Sequence, residues 1–270
     1  MKTTHRNRFQ LAALVFAAMT ASASAALSVY LSANDIQSAE TSGFASGTTF
    51  LTETFNGSTP ALGNVNGYVS PTVGTYTSAG AGSAVQNNDI YGGYSGGKYL
   101  GIATGYSATL TLTTPAAYFG LYFTAGDARN SFQIQSGGVT LLTFNTAELI
   151  KLLPNTSGGR ITAIDGHVYN TQDYYGQPVS GSNSSEPYGY IHIVASEGTT
   201  FDKIVLSQSS GGTAVFESDN HSIRIDAPAI PGSLVNVSGA VPEPATGWLS
   251  VACLGLLASR RKRARRAPAA

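Results

Sequence analysis

At 270 residues, 42% of them apolar, the chain is long enough for one large domain or two small ones and can bury a core, which excludes a wholly disordered protein. A single cysteine excludes both an internal disulfide framework and a Cys-rich zinc site. The formal charge of zero conceals an acidic body: between residues 26 and 240, six basic side chains stand against fourteen acidic ones, a net of −8, which argues against nucleic acid as a partner.

The chain opens on a basic stretch, Lys2, His5, Arg6 and Arg8, followed by a short apolar run from Leu11 to Met19 and then Ala23-Ser24-Ala25. That order is the pattern of a secretory signal peptide over residues 1–25, with signal peptidase cutting after Ala25. The run falls well short of the ~20 residues needed to span a bilayer. Residues 26–48 are rich in Ser, Ala and Thr and show no clear period.

Beyond them, short alternating runs are bounded by Gly, Asn, Pro and Ser. They predict strands over 49–56, 98–103, 107–113, 117–124, 131–135 and 139–144, and later over 188–195, 201–206, 213–216 and 222–225. Leu110 and Leu112 share one face of the third run while Thr109, Thr111 and Thr113 share the other, the period of a half-buried antiparallel strand. The fourth run, around Tyr118 to Phe123, is apolar on both faces and is expected to be central. Gly137-Gly138 marks a tight hairpin loop. One helix is expected, capped by Asn145 or Thr146, carrying Leu149, Ile150, Leu152 and Leu153, and ended by Pro154. A long polar insertion follows from Asn155 to Pro187. With 31 Gly and only 11% charged residues, the middle reads as an all-β ectodomain over 26–225, an antiparallel two-sheet sandwich of jelly-roll type with one short helix.

Residues 226–240 form a Pro/Gly/Ser-containing spacer. Val241-Pro242-Glu243-Pro244 then precedes an apolar run from Ala245 to Ser259, and six basic residues follow from Arg260 to Arg266. As a helix the run spans about 22 Å, and snorkelling arginines make up part of the deficit against the ~30 Å hydrocarbon core. The basic cluster should stay cytoplasmic, which places the body on the far side of the membrane. Cys253 sits mid-run as a small apolar residue.

This order over residues 241–266 resembles the PEP-CTERM sorting signal of Gram-negative bacteria that make exopolysaccharide. The resemblance implies an exosortase as partner, a membrane-embedded transpeptidase acting near Pro242-Glu243-Pro244 on this chain as its substrate. It also implies a transient stay in the inner membrane, followed by release or attachment at the surface. The middle resembles, more weakly, β-sandwich surface domains that accompany such signals, through Phe119 to Asp127, Phe201 to Leu206 and Phe216 to His221.

The body carries residues suited to three kinds of chemistry. Gly93-Tyr94-Ser95-Gly96-Gly97 matches the G-x-S-x-G string of serine hydrolases, but a strand follows it where the nucleophile elbow needs a helix. No spacing selects His167, His192 or His221 as its base. Glu217, Asp219 and Asn220, read as following a strand, offer hard oxygen ligands for calcium, with Asp127 and Asp202 as further contributors if the fold brings them close. The tyrosines cluster at Tyr91, Tyr94 and Tyr99 and again near Tyr174 and Tyr175, which are candidate carbohydrate contacts, although the body lacks Trp. The expected function is that of a non-enzymatic, exported surface or matrix protein. The alternative is a secreted polysaccharide-acting hydrolase, whose mark would be a cleft holding facing carboxylates, one with a raised pKa.

Overall fold

A computed structural model describes residues 27–57, 62–89, 91–93, 97–176 and 185–230. The expected signal peptide at 1–25, the end of the spacer, the sorting segment at 241–266 and Ser95 lie outside the described residues. Among the described residues, no helix is long and apolar enough to cross a membrane.

In chain order the strands are β1 (Leu27–Leu31), β2 (Leu51–Glu53), β3 (Gly63–Asn64), β4 (Tyr68–Val69), β5 (Gly74–Ser78), β6 (Ser83–Asn87), β7 (Lys98–Ala103), β8 (Ser107–Ala116), β9 (Tyr118–Thr124), β10 (Asn130–Ser136) and β11 (Val139–Asn145). The helix α1 (Thr146–Leu152) follows, then β12 (Arg160–Thr162), β13 (Val168–Asn170), β14 (Gly189–Ala195), β15 (Phe201–Gln208) and β16 (Val215–Arg224). All pairings are antiparallel. One sheet runs β1-β14-β9-β16-β7-β6-β3, with β2 also paired to β16. The other runs β11-β10-β15-β8-β5-β4, and β12 and β13 form a separate hairpin.

The two large sheets share one apolar core, as an all-β sandwich requires. The first contributes Phe119, Leu121 and Phe123 with Ile191 and Ile193; the second contributes Leu110, Leu112, Phe132, Ile134 and Leu206. Alternation explains the sorting: Leu110 and Leu112 turn inward while Thr111 and Thr113 face solvent. Strand β9 is buried on both faces and lies between β14 and β16, the central position its pattern predicts.

The outer face of the first sheet carries a second apolar cluster. Tyr118 and Tyr122 of β9 and Tyr190 and Val194 of β14 are covered there by Phe44, Phe50 and Ala39 from the connection after β1. This cover explains why both strands are buried throughout.

Several boundaries differ from expectation. Residues 26–48, where no period is legible, contain β1. The stretch from 57 to 97 contains four strands, two of them only two residues long and too short to show alternation. The runs at 213–216 and 222–225 are the ends of one continuous strand, β16. The polar insertion contains the β12–β13 hairpin. The helix is capped by Asn145, whose Oδ1 accepts the Glu148 N–H at 3.1 Å. Gly137 and Gly138 have φ of 54° and 83°, the two positive values that a two-residue hairpin turn requires.

A bulge interrupts β16. Asp219 pairs with Tyr122 and Ser222 with Gly120, so three residues advance on β16 for two on β9. Asn220 absorbs the extra residue at φ 50°, a left-handed conformation that Asn tolerates better than most side chains. The opposite edge of β16 changes partner at the same place, from β7 before the bulge to β2 after it.

Candidate functional site

Strand alternation places Glu217 and Asp219 on the outer face of the first sheet, opposite Thr124 and Tyr122 of β9, while Phe216 and Ser218 face the core. Both acids therefore lie inside a strand rather than after one, the place the sequence suggests. Glu217 is 6% exposed and Asp219 7%. Asn220 is committed elsewhere: its side-chain amide donates to Gln37 O at 2.8 Å, and its backbone N–H donates to Asp219 Oδ1 at 2.7 Å. Asp202 lies on β15 in the other sheet, where Oδ2 accepts the Gly137 N–H at 3.3 Å. Among the described residues, no three or more acidic, His or Cys side chains are grouped closely enough to hold a metal ion. The proposed calcium ligands are thus not brought together as a set.

Glu217 instead lines a pocket of about 470 Å³. Its floor comes from the uncovered half of the outer sheet face: Gln86 of β6, Tyr99 of β7 and Val215 and Glu217 of β16. Loops supply the walls: Asp89 and Tyr91 between β6 and β7, Asp127 after β9, and Glu186 before β14. The Gly126 N–H donates to Pro187 O at 3.0 Å and ties the last two walls together.

Four carboxyl groups thus surround one cavity, and no Lys, Arg or His is among its described lining residues. Two of them are held by local bonds. Asp89 Oδ1 accepts the Tyr91 and Gly92 N–H groups at 2.8 and 3.0 Å, and Oδ2 accepts the Tyr99 hydroxyl at 3.1 Å. Asp127 Oδ1 accepts the Arg129 N–H at 3.0 Å and stands 3.6 Å from the Arg129 guanidinium. Glu217 differs, because its Oε2 is buried and has no hydrogen-bond partner. Burial, reinforced by the charges of Asp89, Glu186 and Asp127, pushes its carboxyl up to about 9. Burial and the Asp127 charge also raise Glu186. At neutral pH Glu217 therefore holds a proton, with three further carboxyl groups around the same cavity. Such a pocket attracts cations and hydroxyl donors and repels anions.

The other sequence candidates fall in packed positions. Tyr174 is fully buried and its hydroxyl donates to Ser32 O at 2.8 Å; Tyr175 is half-buried and bonds Leu153 O at 2.5 Å. Burial removes Tyr174 from any sugar-stacking role. His192 is fully buried, with Nε2 2.7 Å from Ser32 Oγ and Nδ1 2.8 Å from the Tyr118 hydroxyl. His221 lies in the core, with Nδ1 2.9 Å from the Tyr76 hydroxyl and Nε2 3.0 Å from Ser218 Oγ. Burial lowers both rings to about 3, so they are neutral hydrogen-bonding struts without access to substrate. His167 is exposed and lies 3.3 Å from Asp165.

Of the pocket residues, the sequence singles out Glu217, Asp127, Tyr91 and Tyr99, but for separate reasons, and Glu186 falls within the polar insertion. Asp89 and Gln86 were missed; the polar run Asn87-Asn88-Asp89, a turn signal, was the available hint. No family model matches the chain, and no curated protein matches it.

Proposed function

We propose that the chain is an exported, non-enzymatic surface or extracellular-matrix protein, sorted and processed by an exosortase and associated with exopolysaccharide. The observation that carries the reading is the order over 241–266: Val241-Pro242-Glu243-Pro244, an apolar run, then an arginine cluster. The N-terminal basic and apolar segment ending at Ala25 supports export. The acidic body is compatible with a jelly-roll-type scaffold held away from a membrane by the spacer at 226–240. The test is to express the full chain in an exporting host with and without an exosortase and to weigh the product. Processing predicts loss of the segment containing Trp248 only where the exosortase is present. The same unprocessed mass in both strains overturns the reading.

One observation favours the second reading, a secreted hydrolase acting on polysaccharide. Glu217 is a protonated carboxyl facing Asp89, Asp127 and Glu186 in one pocket, the electrostatic setting of a general acid. A hydrolase predicts that the wild-type chain releases reducing ends from a polysaccharide and that Glu217→Gln abolishes the release. The non-enzymatic reading predicts none from either protein.

A further inference from the structure

We infer that the pocket around Glu217 is a binding site for a sugar-sized ligand carrying a positive charge, a hydroxylated organic ammonium. The inference concerns the folded body and stands apart from the sorting reading.

The carboxyl groups of the pocket are unevenly partnered. Asp89 and Asp127 are tied down by backbone and side-chain donors, whereas Glu217 is 94% removed from solvent and leaves Oε2 with no donor at all. A buried carboxyl oxygen without a partner costs free energy comparable to a lost hydrogen bond. Here it lines a cavity that a ligand can enter. An ammonium group supplies the missing donor and the missing positive charge together.

Three features define the ligand. First, the lining is acid-rich and lacks a basic side chain among the described residues, so anionic sugars are repelled. Second, the cavity of about 470 Å³ is far larger than one ion, and its carboxyls do not gather into a metal-holding group. Charges spread around a wide pocket suit an extended cation better than a compact one. Third, Tyr91 is 39% exposed at the rim and offers an aromatic face, while the Tyr99 ring lines the floor with its hydroxyl bonded to Asp89 and Gln86. Aromatic surface beside acceptors is what a ring with C–H faces and hydroxyl edges requires.

Binding draws on the proton of Glu217. The groups facing it are Asp89 from the β6–β7 connection, Asp127 with Arg129 from the loop after β9, Glu186 before β14, and Tyr99 on β7. An entering ammonium offsets the three carboxylates and favours ionised Glu217, so the proton leaves to solvent as the ligand binds.

The experiment titrates the purified full chain with 2-aminoethyl β-glucoside, whose ammonium persists at mildly alkaline pH, and in parallel with glucose, glucuronate and CaCl₂. The expected result is saturable binding of the aminoethyl glucoside at about millimolar concentration, at least about tenfold weaker binding of glucose, and none of glucuronate. Affinity should rise between about pH 6 and pH 8 as Glu217 becomes easier to ionise. Glu217→Gln should weaken binding about tenfold or more and flatten that pH dependence. Should that variant fail to fold, Glu186→Gln at the half-buried wall should weaken binding in the same direction. Equal binding of glucose and the aminoethyl glucoside overturns the inference. So does the absence of binding, or tight Ca²⁺ binding that excludes the amine. Loss of exosortase processing, by contrast, leaves it untouched.

Discussion

The outer face of one sheet is used in two opposite ways. Over β14 and β9 it is closed: the connection after β1 lays Phe44 and Phe50 onto Tyr118, Tyr190 and His192. Several of the polar atoms trapped there are bonded to one another, as in the Ser32–His192–Tyr118 chain. Over β16, β7 and β6 the same face is open, and there the sheet leaves Glu217 Oε2 without a donor. The closed half shows how buried polarity is stabilised by partners within the chain. The open half retains a polar group that faces a cavity and has no hydrogen-bond partner within the chain. That contrast points to a site more directly than any single residue does.

The largest expected effect separates the halves by pH. In the unfolded chain, the two outer-face carboxyls ionise near 4.5 and 3.8, but burial raises Glu217 to about 9 and Asp219 to about 8 in the fold. Each therefore contributes stability that is lost as pH rises toward its folded value, at up to about 1.4 kcal/mol per pH unit. His192 and His221 act in the other direction, because the unfolded chain takes up their protons below 6.5 and the fold resists until about 3. The two slopes offset between about 4.5 and 6.5, where stability should be greatest. Denaturant unfolding should show a loss of up to roughly 4 kcal/mol from pH 6.5 to pH 8. Glu217→Gln should about halve that alkaline loss and leave the acid limb unchanged. A flat profile above pH 6.5 breaks the comparison.

The next effect concerns two glycines on the same face. A Cβ on Gly120 would lie 2.7 Å from the Tyr190 hydroxyl oxygen and closer still to that of Tyr118, inside the closed network. Gly120→Ala should cost about 2–3 kcal/mol of unfolding free energy. Tyr118→Phe should cost about 1–2 kcal/mol, because it removes the partner of His192 Nδ1. Smallest is Gly101→Ala on the open half, where the new Cβ meets the end of the flexible Gln86 side chain at 2.5 Å. Less than about 1 kcal/mol is expected there, since Gln86 can swing into the pocket. Equal costs for the two glycine variants would show that the open half is as tightly packed as the closed one.

What was legible in the sequence followed from local pattern. Strict alternation located β8, two-sided apolarity marked β9 as central, and Asn145 with Glu148 marked α1. The short strands β3 and β4 offered no period to read, and β1 was hidden because its outward Tyr30 packs against the covered apolar cluster rather than facing open solvent. The join within β16 was obscured by Glu217, Asp219 and Asn220, whose polarity reads as a turn. The pocket was legible only as scattered acids. Its assembly depends on long-range pairing that sets Gln86 beside Tyr99 and Gly101 beside Glu217, contacts that no local pattern encodes.

The irregularity at Asn220 has a consequence for how this protein can change. Because one surplus residue resets the in-and-out phase, the stretch before it and the stretch after it answer to different neighbours. Substitutions near Val215 to Glu217 can reshape what the open cavity accepts while Ile223 continues to fill the interior. Deleting Asn220 would leave one residue on β16 for each on β9, so Glu217 would stay outward and His221 and Ile223 inward, but the left-handed kink and its tie to Gln37 would be lost.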